Sequence, residues 1–264
     1  MLVLKGVCKT FNPGTINEKK ALNGIDLHLK PGDFVTVIGS NGAGKSTMLN
    51  AVAGVWPVDS GSIIIDGVDV TGQPEHKRAA FIGRVFQDPM LGTAPDMQIE
   101  ENLALALRRG KRRGLRWEIS NAERAKYKEQ LAGFGLGLED RLTAKVGLLS
   151  GGQRQALTLL MATIQKPKLL LLDEHTAALD PATAAKVLEL SDRLIKENEL
   201  TAMMITHNMT DAIKHGTRLI MMHEGRIILD VEGEDKKKLT KADLMEKFSE
   251  LSGTQLESDQ ILLT

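Results

Sequence analysis

One motif constrains the fold of this chain more than any other feature. The pattern G-x-x-x-x-G-K-[ST] is matched by the run Gly39-Ser40-Asn41-Gly42-Ala43-Gly44-Lys45-Ser46. A β-branched apolar run, 34–38, precedes the motif and predicts a strand, and residues 45–53 predict a helix. Because glycine has no Cβ, the loop backbone can turn its N–H groups and the positive helix end toward an anion. The sequence therefore predicts a phosphate-binding loop between a strand and a helix.

Two side chains of this loop carry predicted roles. We expect Lys45 to reach the β and γ phosphates of a nucleotide, and Ser46 to place its hydroxyl on Mg²⁺, which takes few protein ligands. A glycine-rich turn that matches the motif by chance is the alternative, and the flanking strand and helix argue against it. The predicted nucleotide cradle comprises Gly39, Ser40, Asn41, Gly42, Ala43, Gly44, Lys45, Ser46 and Thr47.

Composition limits the classes of partner and the location of the chain. The 34 basic residues balance the 34 acidic ones, so no overall field attracts nucleic acid or a membrane. The apolar run at 169–172 is far shorter than the roughly 20 residues that span a bilayer, and residues 1–10 lack a signal-peptide pattern. The single Cys8 excludes an internal disulfide. These features predict a soluble chain inside the cell.

Element patterns predict an α/β fold in one domain. The first 33 residues read as two antiparallel strands joined by a turn, and 85–89 is expected to close a further strand. Helical patterns then dominate, and beyond residue 150 helices alternate with apolar strands, which is typical of a mainly parallel sheet. We predict a P-loop NTPase core at 1–230 with an N-terminal antiparallel β subdomain and a helical subdomain inserted at about 90–160. A short C-terminal helical tail is expected at 231–264.

A basic stretch lies between the predicted helices of the insertion. Six of the ten residues from Arg108 to Trp117 are basic, including Arg116. A solvated loop is one interpretation, and contact with lipid headgroups or an acidic partner is the other. A nucleic-acid site is not predicted, because a single tryptophan supplies little stacking surface for bases.

A pair of carboxylates follows the apolar strand predicted at 169–172. Ligands of open parallel sheets gather at the carboxyl ends of the strands, so Asp173 is placed to hold Mg²⁺ through water. The neighbouring Glu174 is a candidate to polarise the water that attacks a γ phosphate. A helix-capping role for Asp173 is the alternative.

The segment Leu149-Ser150-Gly151-Gly152-Gln153, upstream of these carboxylates, resembles the LSGGQ signature of ATP-binding cassette (ABC) ATPases. The resemblance extends from about Leu2 to Asp230 and carries several motifs in the family's order. It implies an ATP hydrolase that uses ATP and Mg²⁺. It also implies that the signature of one subunit clamps the γ phosphate bound by Lys45 of another, through Ser150, Gly151, Gly152 and Gln153.

The resemblance assigns roles to four further residues. Gln87 matches the Q-loop glutamine, which contacts Mg²⁺ and the attacking water, and Asp180 matches the D-loop that crosses to the other subunit. His207 matches the switch histidine on the γ phosphate. Phe11 occupies the position of the aromatic that stacks on adenine, with a packing role as its rival. The implied catalytic residues are Glu174, His207, Gln87 and Lys45, and the implied metal ligands are Ser46, Gln87 and Asp173.

One position departs from the family's pattern. The family usually has proline after the catalytic glutamate, whereas this chain has His175. An imidazole beside the γ-phosphate site would titrate near neutral pH, so we expect it to add a pH dependence to hydrolysis, or else to serve only as a spacer.

The resemblance also implies partners. It predicts a dimer with a second copy or a sister ATPase, docked on transmembrane permease subunits at the inner face of the cell membrane. An extracytoplasmic solute-binding protein and an amino-acid-like imported solute complete the expected system, with no nucleic acid partner. The alternatives are a non-transport ATPase of the iron-sulfur assembly type and the ATPase of an exporter or lipoprotein-extraction system.

Overall fold

The computed structural model describes residues 1–110 and 119–252. Its strands are β1 (Leu2–Phe11), β2 (Lys19–Leu29), β3 (Phe34–Ile38), β4 (Ser60–Ile65), β5 (Val68–Asp69), β6 (Ile82–Val85), β7 (Leu169–Asp173), β8 (Thr201–Ile205), β9 (Arg218–His223) and β10 (Arg226–Glu232). Its α-helices are α1 (Lys45–Ala53), α2 (Glu75–Arg78), α3 (Ile99–Leu107), α4 (Asn121–Ala132), α5 (Gly151–Thr163), α6 (Pro181–Glu197), α7 (Met209–Lys214), α8 (Gly233–Lys238) and α9 (Lys241–Ser252).

The chain divides into two compact units. The first is built from Met1–Arg78 and from the described chain that starts at Glu199, and the second is built from Ala79–Asn198. The predicted helical insertion falls in the second unit together with β6, β7 and α6. Over the described ranges, no helix is both long and apolar enough to cross a membrane.

The first unit contains an antiparallel sheet and a parallel-rich sheet. In the antiparallel sheet the strand order is β2-β1-β4-β5, which confirms the predicted N-terminal β subdomain. In the other sheet β3 pairs in parallel with both β8 and β9, and β10 joins β9 as an antiparallel hairpin. All five residues of β3 are buried, as expected for a central strand between two neighbours.

A buried hydroxyl on a central strand needs hydrogen-bond partners. Thr36 of β3 is fully buried, and its Oγ1 lies 2.9 Å from the carbonyl oxygen of Ala212 and 3.2 Å from that of Arg218. Because a buried polar group without a partner costs about 1–3 kcal/mol, these contacts make threonine compatible with the strand.

The helix α1 follows the loop after β3 and ends at Gly54, whose φ of 83° is a left-handed C-cap.

The second unit contains a pair of parallel strands and a helical core. Strands β6 and β7 run in parallel, with Val85 opposite Leu172. Gly83 of β6 lies against α5, since a Cβ there would stand 2.3 Å from the carbonyl oxygen of Ala162. Close approach of helix and strand therefore requires glycine at this position. The helices share a buried apolar cluster that includes Leu103, Tyr127 and Leu157.

Most predicted elements are present, and one boundary is wrong. The strand β3 and the helix α1 have the predicted bounds, and α9 occupies the stretch of the predicted tail helix. The run 85–89 was expected to close a strand, but β6 ends at Val85. Beyond Val85 the carbonyl of Phe86 accepts a hydrogen bond from the Gln155 side chain of α5, at 3.2 Å. The chain leaves the sheet at that point.

A buried tyrosine in the helical core leads to a stability prediction. Tyr127 is 0% exposed, and its hydroxyl oxygen has no hydrogen-bond partner among the residues that the structure describes. Because an unpaired buried hydroxyl is unfavourable, Tyr127→Phe should raise the free energy of unfolding by about 1 kcal/mol. Urea denaturation at pH 7 measures this change. A loss of stability in Tyr127→Phe would show that the hydroxyl has a favourable partner.

The same side chain predicts a response to alkaline pH. Burial raises the pKa of Tyr127 to about 12, whereas an unfolded tyrosine titrates at about 10. The neutral phenol is favoured by the fold, so its contribution is complete below pH 10 and is lost as the pH rises through about 12. Tyr127→Phe should therefore retain more of its stability than the wild type over that pH interval.

Candidate functional site

Two glycines of the predicted phosphate loop have backbone conformations that other residues rarely adopt. Gly39 has φ 146° and Gly44 has φ 102°. A Cβ on Gly39 would stand 2.1 Å from the carbonyl oxygen of Met222, and a Cβ on Gly44 would stand 2.4 Å from that of Ala21. The loop is thus pressed against neighbouring backbone at both ends, and only glycine fits there.

The lysine of the loop is buried and held by backbone oxygens. Lys45 is 6% exposed, and its Nζ donates to the carbonyl oxygen of Gly39 at 2.6 Å and to that of Ser40 at 3.0 Å. Burial of an ammonium is costly unless it is hydrogen-bonded, so these carbonyls hold the charge inside the loop. A cation in this position can serve as a partner for a phosphate.

The N-terminus of α1 fits an anionic ligand. Its N-cap, Gly44, makes no side-chain capping hydrogen bond, and its first turn contains no acidic residue. The first N–H groups of a helix lack intrahelical partners and carry partial positive charge. The uncapped helix end and the buried ammonium of Lys45 therefore suit a phosphate group. Ser46, in the first turn, is exposed, which leaves its hydroxyl accessible to a metal ion.

His207 lies at the same sheet edge as this loop. In the parallel pair of β3 and β8, Val37 is opposite Ile205, and the N–H of Thr206 donates to the carbonyl of Val37 at 3.2 Å. Both strands end here, β3 leading into the loop and β8 leading to His207. The structure therefore brings two of the predicted residues, His207 and Lys45, to one edge of the first unit.

Phe11, the predicted adenine-stacking residue, ends β1 and is half-buried. Its ring lies at 4.9 Å from that of Trp56 in an edge-to-face arrangement with an interplanar angle of 82°. The ammonium of Lys9 lies 5.7 Å from the Phe11 centroid. Such contacts orient the ring and are compatible with both packing and stacking.

The second unit contains the predicted water-activating residues and two of the three predicted metal ligands, Gln87 and Asp173. Because Val85 is opposite Leu172 in the parallel pair of β6 and β7, Gln87 and Asp173 follow neighbouring strands at one edge. Gln87 is exposed, and Asp173 and Glu174 are half-buried. Glu174 has a left-handed backbone with φ 45°, which is uncommon for a residue with a Cβ. This turn leads the chain out of β7 immediately after the metal-binding candidate.

Arg84 contacts the metal-binding candidate Asp173, and it was not identified from the sequence. Its Nη2 lies 3.3 Å from Oδ2 of Asp173, and its guanidinium carbon lies 4.5 Å from the ring centroid of Phe86. A signal was present, since Arg84 is charged while the other members of β6 are apolar or glycine. A lone charge in a buried strand indicates a partner.

His175 is packed into the fold. Its side chain is 2% exposed, and its Nε2 lies 3.0 Å from the hydroxyl of Ser191 on α6. Because that hydroxyl donates to the carbonyl of Val187 at 2.9 Å, it accepts from the Nε2–H of His175. The imidazole therefore joins the turn after β7 to α6. This position agrees better with the spacer role than with a contact to a phosphate.

This geometry predicts the result of replacing His175. His175→Pro should leave the pH profile of ATP hydrolysis unchanged within about 0.2 pH units, which is small against the shift of about one unit that the loss of a titrating group would cause. It should lower the free energy of unfolding by about 1–3 kcal/mol through the lost buried hydrogen bond. Hydrolysis rates across pH 6–9 and urea denaturation test both parts. A shifted pH profile at unchanged stability would contradict this expectation.

The signature residues form the start of α5. Ser150 is its N-cap, accepting from the N–H of Gln153 at 3.3 Å, while Oε1 of Gln153 accepts from the N–H of Ser150 at 3.2 Å. This reciprocal capping box fixes the helix end. A Cβ on Gly152 would stand 2.2 Å from Cγ2 of Thr183, so glycine permits close contact with α6. Ser150 and Gly151 are exposed and available to a ligand.

Two further residues define the surroundings of the signature. Arg154 donates to the carbonyls of Gly147 and Leu149 at 3.1 and 3.0 Å and thereby fixes the chain before Ser150. Asp180 is the exposed N-cap of α6, and hydrogen bonds from Thr183 hold the pKa of its carboxyl below the usual value. It is therefore an anion at neutral pH.

The basic stretch lies partly outside the described residues. The structure describes Arg109 and Arg108, which pairs with Glu123 at 2.8 Å, but residues 111–118 are outside the described ranges.

Within the described ranges no three His, Cys, Asp or Glu side chains are grouped to hold a metal ion. A Mg²⁺ ion needs no such group, since it is usually held by one or two carboxylates, phosphate oxygens and water.

Comparison with known proteins identifies the family. A family model described as ABC transporter matches residues 22–177, more than half of the chain. The chain belongs to the ABC transporter family. The tyrosine transport ATP-binding protein of Clostridioides difficile is 44% identical over 257 residues, covering 94% of this chain and 98% of that protein. The methionine import ATP-binding protein MetN of Corynebacterium diphtheriae is 35% identical over 229 residues, covering 85% of this chain and 64% of that protein.

Solved structures agree with this membership. An ATP-binding cassette in a dimeric post-hydrolysis state, bound to ADP and Pi, has a TM-score of 0.73 and 31% identity, covering 88% of this chain and 98% of that one. The ADP conformation of a cassette of an ABC transporter has a TM-score of 0.75 and 25% identity, covering 94% and 98%. This ABC chain is therefore an ATP-binding ATPase, as its motifs predicted.

Proposed function

We propose that this ABC ATPase binds and hydrolyses ATP as the energy-supplying subunit of an importer for tyrosine or a similar amino acid. One observation carries this assignment: the 44% identity to a tyrosine transport ATP-binding protein extends over nearly the full length of both chains. Similarity to a methionine import ATPase supports the amino-acid class. Transport requires membrane permeases and an extracytoplasmic solute-binding protein, which we propose as partners at the inner face of the membrane.

We propose the following roles for the predicted site residues. In the first unit, Lys45 and the uncapped start of α1 bind the phosphates, and His207 holds the γ phosphate in position. In the second unit, Glu174 takes a proton from the attacking water, which Gln87 orients. Ser46, Asp173 and Gln87 would hold Mg²⁺, an ion that neutralises charge developing on the phosphates.

We propose that two copies of the chain bind ATP between them. The exposed Ser150 and Gly151 begin a helix whose dipole favours an anion, and neither residue is buried by its own chain. A dimeric ATP-binding cassette bound to ADP and Pi is among the structural relatives, which supports this arrangement. The exposed Asp180 at the start of α6 would then lie near the second copy.

Reconstituted transport tests this function. The chain, its permease subunits and its solute-binding protein are placed in liposomes, and uptake of radiolabelled tyrosine is followed with ATP on the ATPase side. We expect ATP-dependent uptake that unlabelled tyrosine, phenylalanine or tryptophan suppresses and that spermidine leaves unchanged. ATP-dependent uptake of radiolabelled spermidine, with no uptake of tyrosine, would replace the amino-acid assignment by the polyamine class, for which a related ATPase with 33% identity exists. Hydrolysis without any solute uptake would favour the non-transport alternative.

A further inference from the structure

We propose that Arg84 is a positioning residue for Mg²⁺ binding, acting through the carboxylate of Asp173. This inference rests on the proposed function, because it takes Asp173 as a metal ligand. It adds a residue of β6 to the hydrolysis machinery. The role follows from strand register, from the geometry of one ion pair and from the way in which the guanidinium is fixed.

Strand register places Arg84 beside the carboxylate. Arg84 is opposite Leu171 in the parallel pair of β6 and β7, and alternate residues of a strand share a face. Arg84 therefore shares its face with Asp173, two residues beyond Leu171. An arginine side chain is long enough to reach a diagonal neighbour across two strands. The 3.3 Å contact between Nη2 of Arg84 and Oδ2 of Asp173 is that diagonal contact.

The ion pair restrains the orientation of the carboxylate. A guanidinium nitrogen of Arg84 contacts Oδ2 of Asp173, and an ionised carboxylate has two oxygens with about four acceptor positions. Arg84 can therefore orient Asp173 while the carboxylate also binds a metal or its water. Carboxylates that bind metals are commonly hydrogen-bonded in this way, and loss of the outer partner typically costs about 10- to 100-fold in metal affinity.

The guanidinium is itself held in place. The side chains of Arg84 and Asp173 are 13% and 17% exposed, so water screens their interaction only partly. The ring centroid of Phe86, just beyond the end of β6, lies 4.5 Å from the guanidinium carbon. Gln155, 1% exposed on α5, fixes the backbone of Phe86 through its carbonyl at 3.2 Å. Helix α5, which begins at the signature, thereby supports the position of Arg84.

Metal binding tests the role without measuring hydrolysis. Mn²⁺, a paramagnetic substitute for Mg²⁺, is titrated into a solution of ADP and the full chain, with the chain in excess over ADP. The concentration of free Mn²⁺ is measured by electron paramagnetic resonance. Arg84→Gln should weaken Mn²⁺ binding about 10-fold or more, and ADP affinity measured in EDTA should change less than about twofold. Arg84→Lys, which keeps the charge but loses the planar fork, should recover part of the affinity.

A double-mutant cycle separates positioning from a general loss of structure. On the background Asp173→Asn, Arg84→Gln should have no further effect on Mn²⁺ binding, since the two side chains act through one carboxylate. The matched control is Arg124→Gln, which removes the bidentate ion pair with Glu100 in the same unit and should leave Mn²⁺ affinity unchanged. Equal losses in Arg84→Gln and Arg124→Gln would overturn the proposal.

The outcomes distinguish this proposal from the proposed function. If the wild-type chain binds ADP but binds no Mn²⁺, the assignment of Asp173 as a metal ligand is wrong, and the role of Arg84 is wrong with it. If wild type binds Mn²⁺ and Arg84→Gln binds it equally well, only the role of Arg84 is refuted. A 10-fold loss that persists in the Asp173→Asn background would also refute it, because Arg84 would then act through another group.

Discussion

Glu174→Gln should abolish most ATP hydrolysis while ATP binding is retained. The substitution keeps the size of the side chain and removes the carboxylate that would accept a proton from the attacking water. General-base catalysis contributes about 10²- to 10⁴-fold, so the rate at saturating ATP should fall by at least about 100-fold. Because ATP then stays intact, the variant should form a stable ATP-dependent dimer. Phosphate release and size-exclusion chromatography with ATP and Mg²⁺ measure the two effects.

The chain offers a matched control for this change. Glu199 is also a glutamate with a left-handed backbone, at φ 51° against 45° for Glu174, and it is exposed in the turn before β8. Glu199→Gln should leave the hydrolysis rate and the ATP-dependent elution volume as in the wild type. If Glu174→Gln hydrolyses ATP at more than one tenth of the wild-type rate, another group serves as the base. If it remains a monomer with ATP and Mg²⁺, the proposed two-copy arrangement is wrong.

The sequence predicted the parts of the molecule whose signals are local. The bounds of β3 and α1 follow from a motif that demands a strand before its loop and a helix after it. Membership in the ABC family and the predicted α/β fold are confirmed. These predictions were possible because short motifs in a fixed order can be identified without any knowledge of packing. The roles of the individual site residues remain predictions, and the substitutions proposed here test them.

The features that sequence reasoning missed depend on contacts between distant segments. The contact of Arg84 with Asp173 joins residues 89 positions apart and requires the register of β6 on β7. The burial of His175 against Ser191 requires the packing of α6, which no local pattern reveals. Likewise β6 ends at Val85 because Gln155 of α5 takes the next carbonyl. Tertiary structure decided each case where local propensity left more than one possibility.

Lys45→Ala should remove most of the affinity for ATP. Loss of one member of a buried charge pair costs about 2–5 kcal/mol, so the dissociation constant should rise by about 30-fold or more. The same change releases the carbonyls of Gly39 and Ser40 from the ammonium that holds them at 2.6 and 3.0 Å. The loop should then lose order as well as charge. Equilibrium binding of a fluorescent ATP analogue measures the effect, with thermal denaturation to verify folding.

A second lysine separates this effect from a change in overall charge. Lys30 is exposed in the first unit and pairs with Glu232 at 3.7 Å, a surface contact of little energetic value. Lys30→Ala should bind the analogue within about twofold of wild type, which corresponds to less than 0.5 kcal/mol. Equal affinities for Lys45→Ala and wild type would mean that the uncapped start of α1 alone supplies the phosphate-binding energy. The buried ammonium would then serve only to shape the loop.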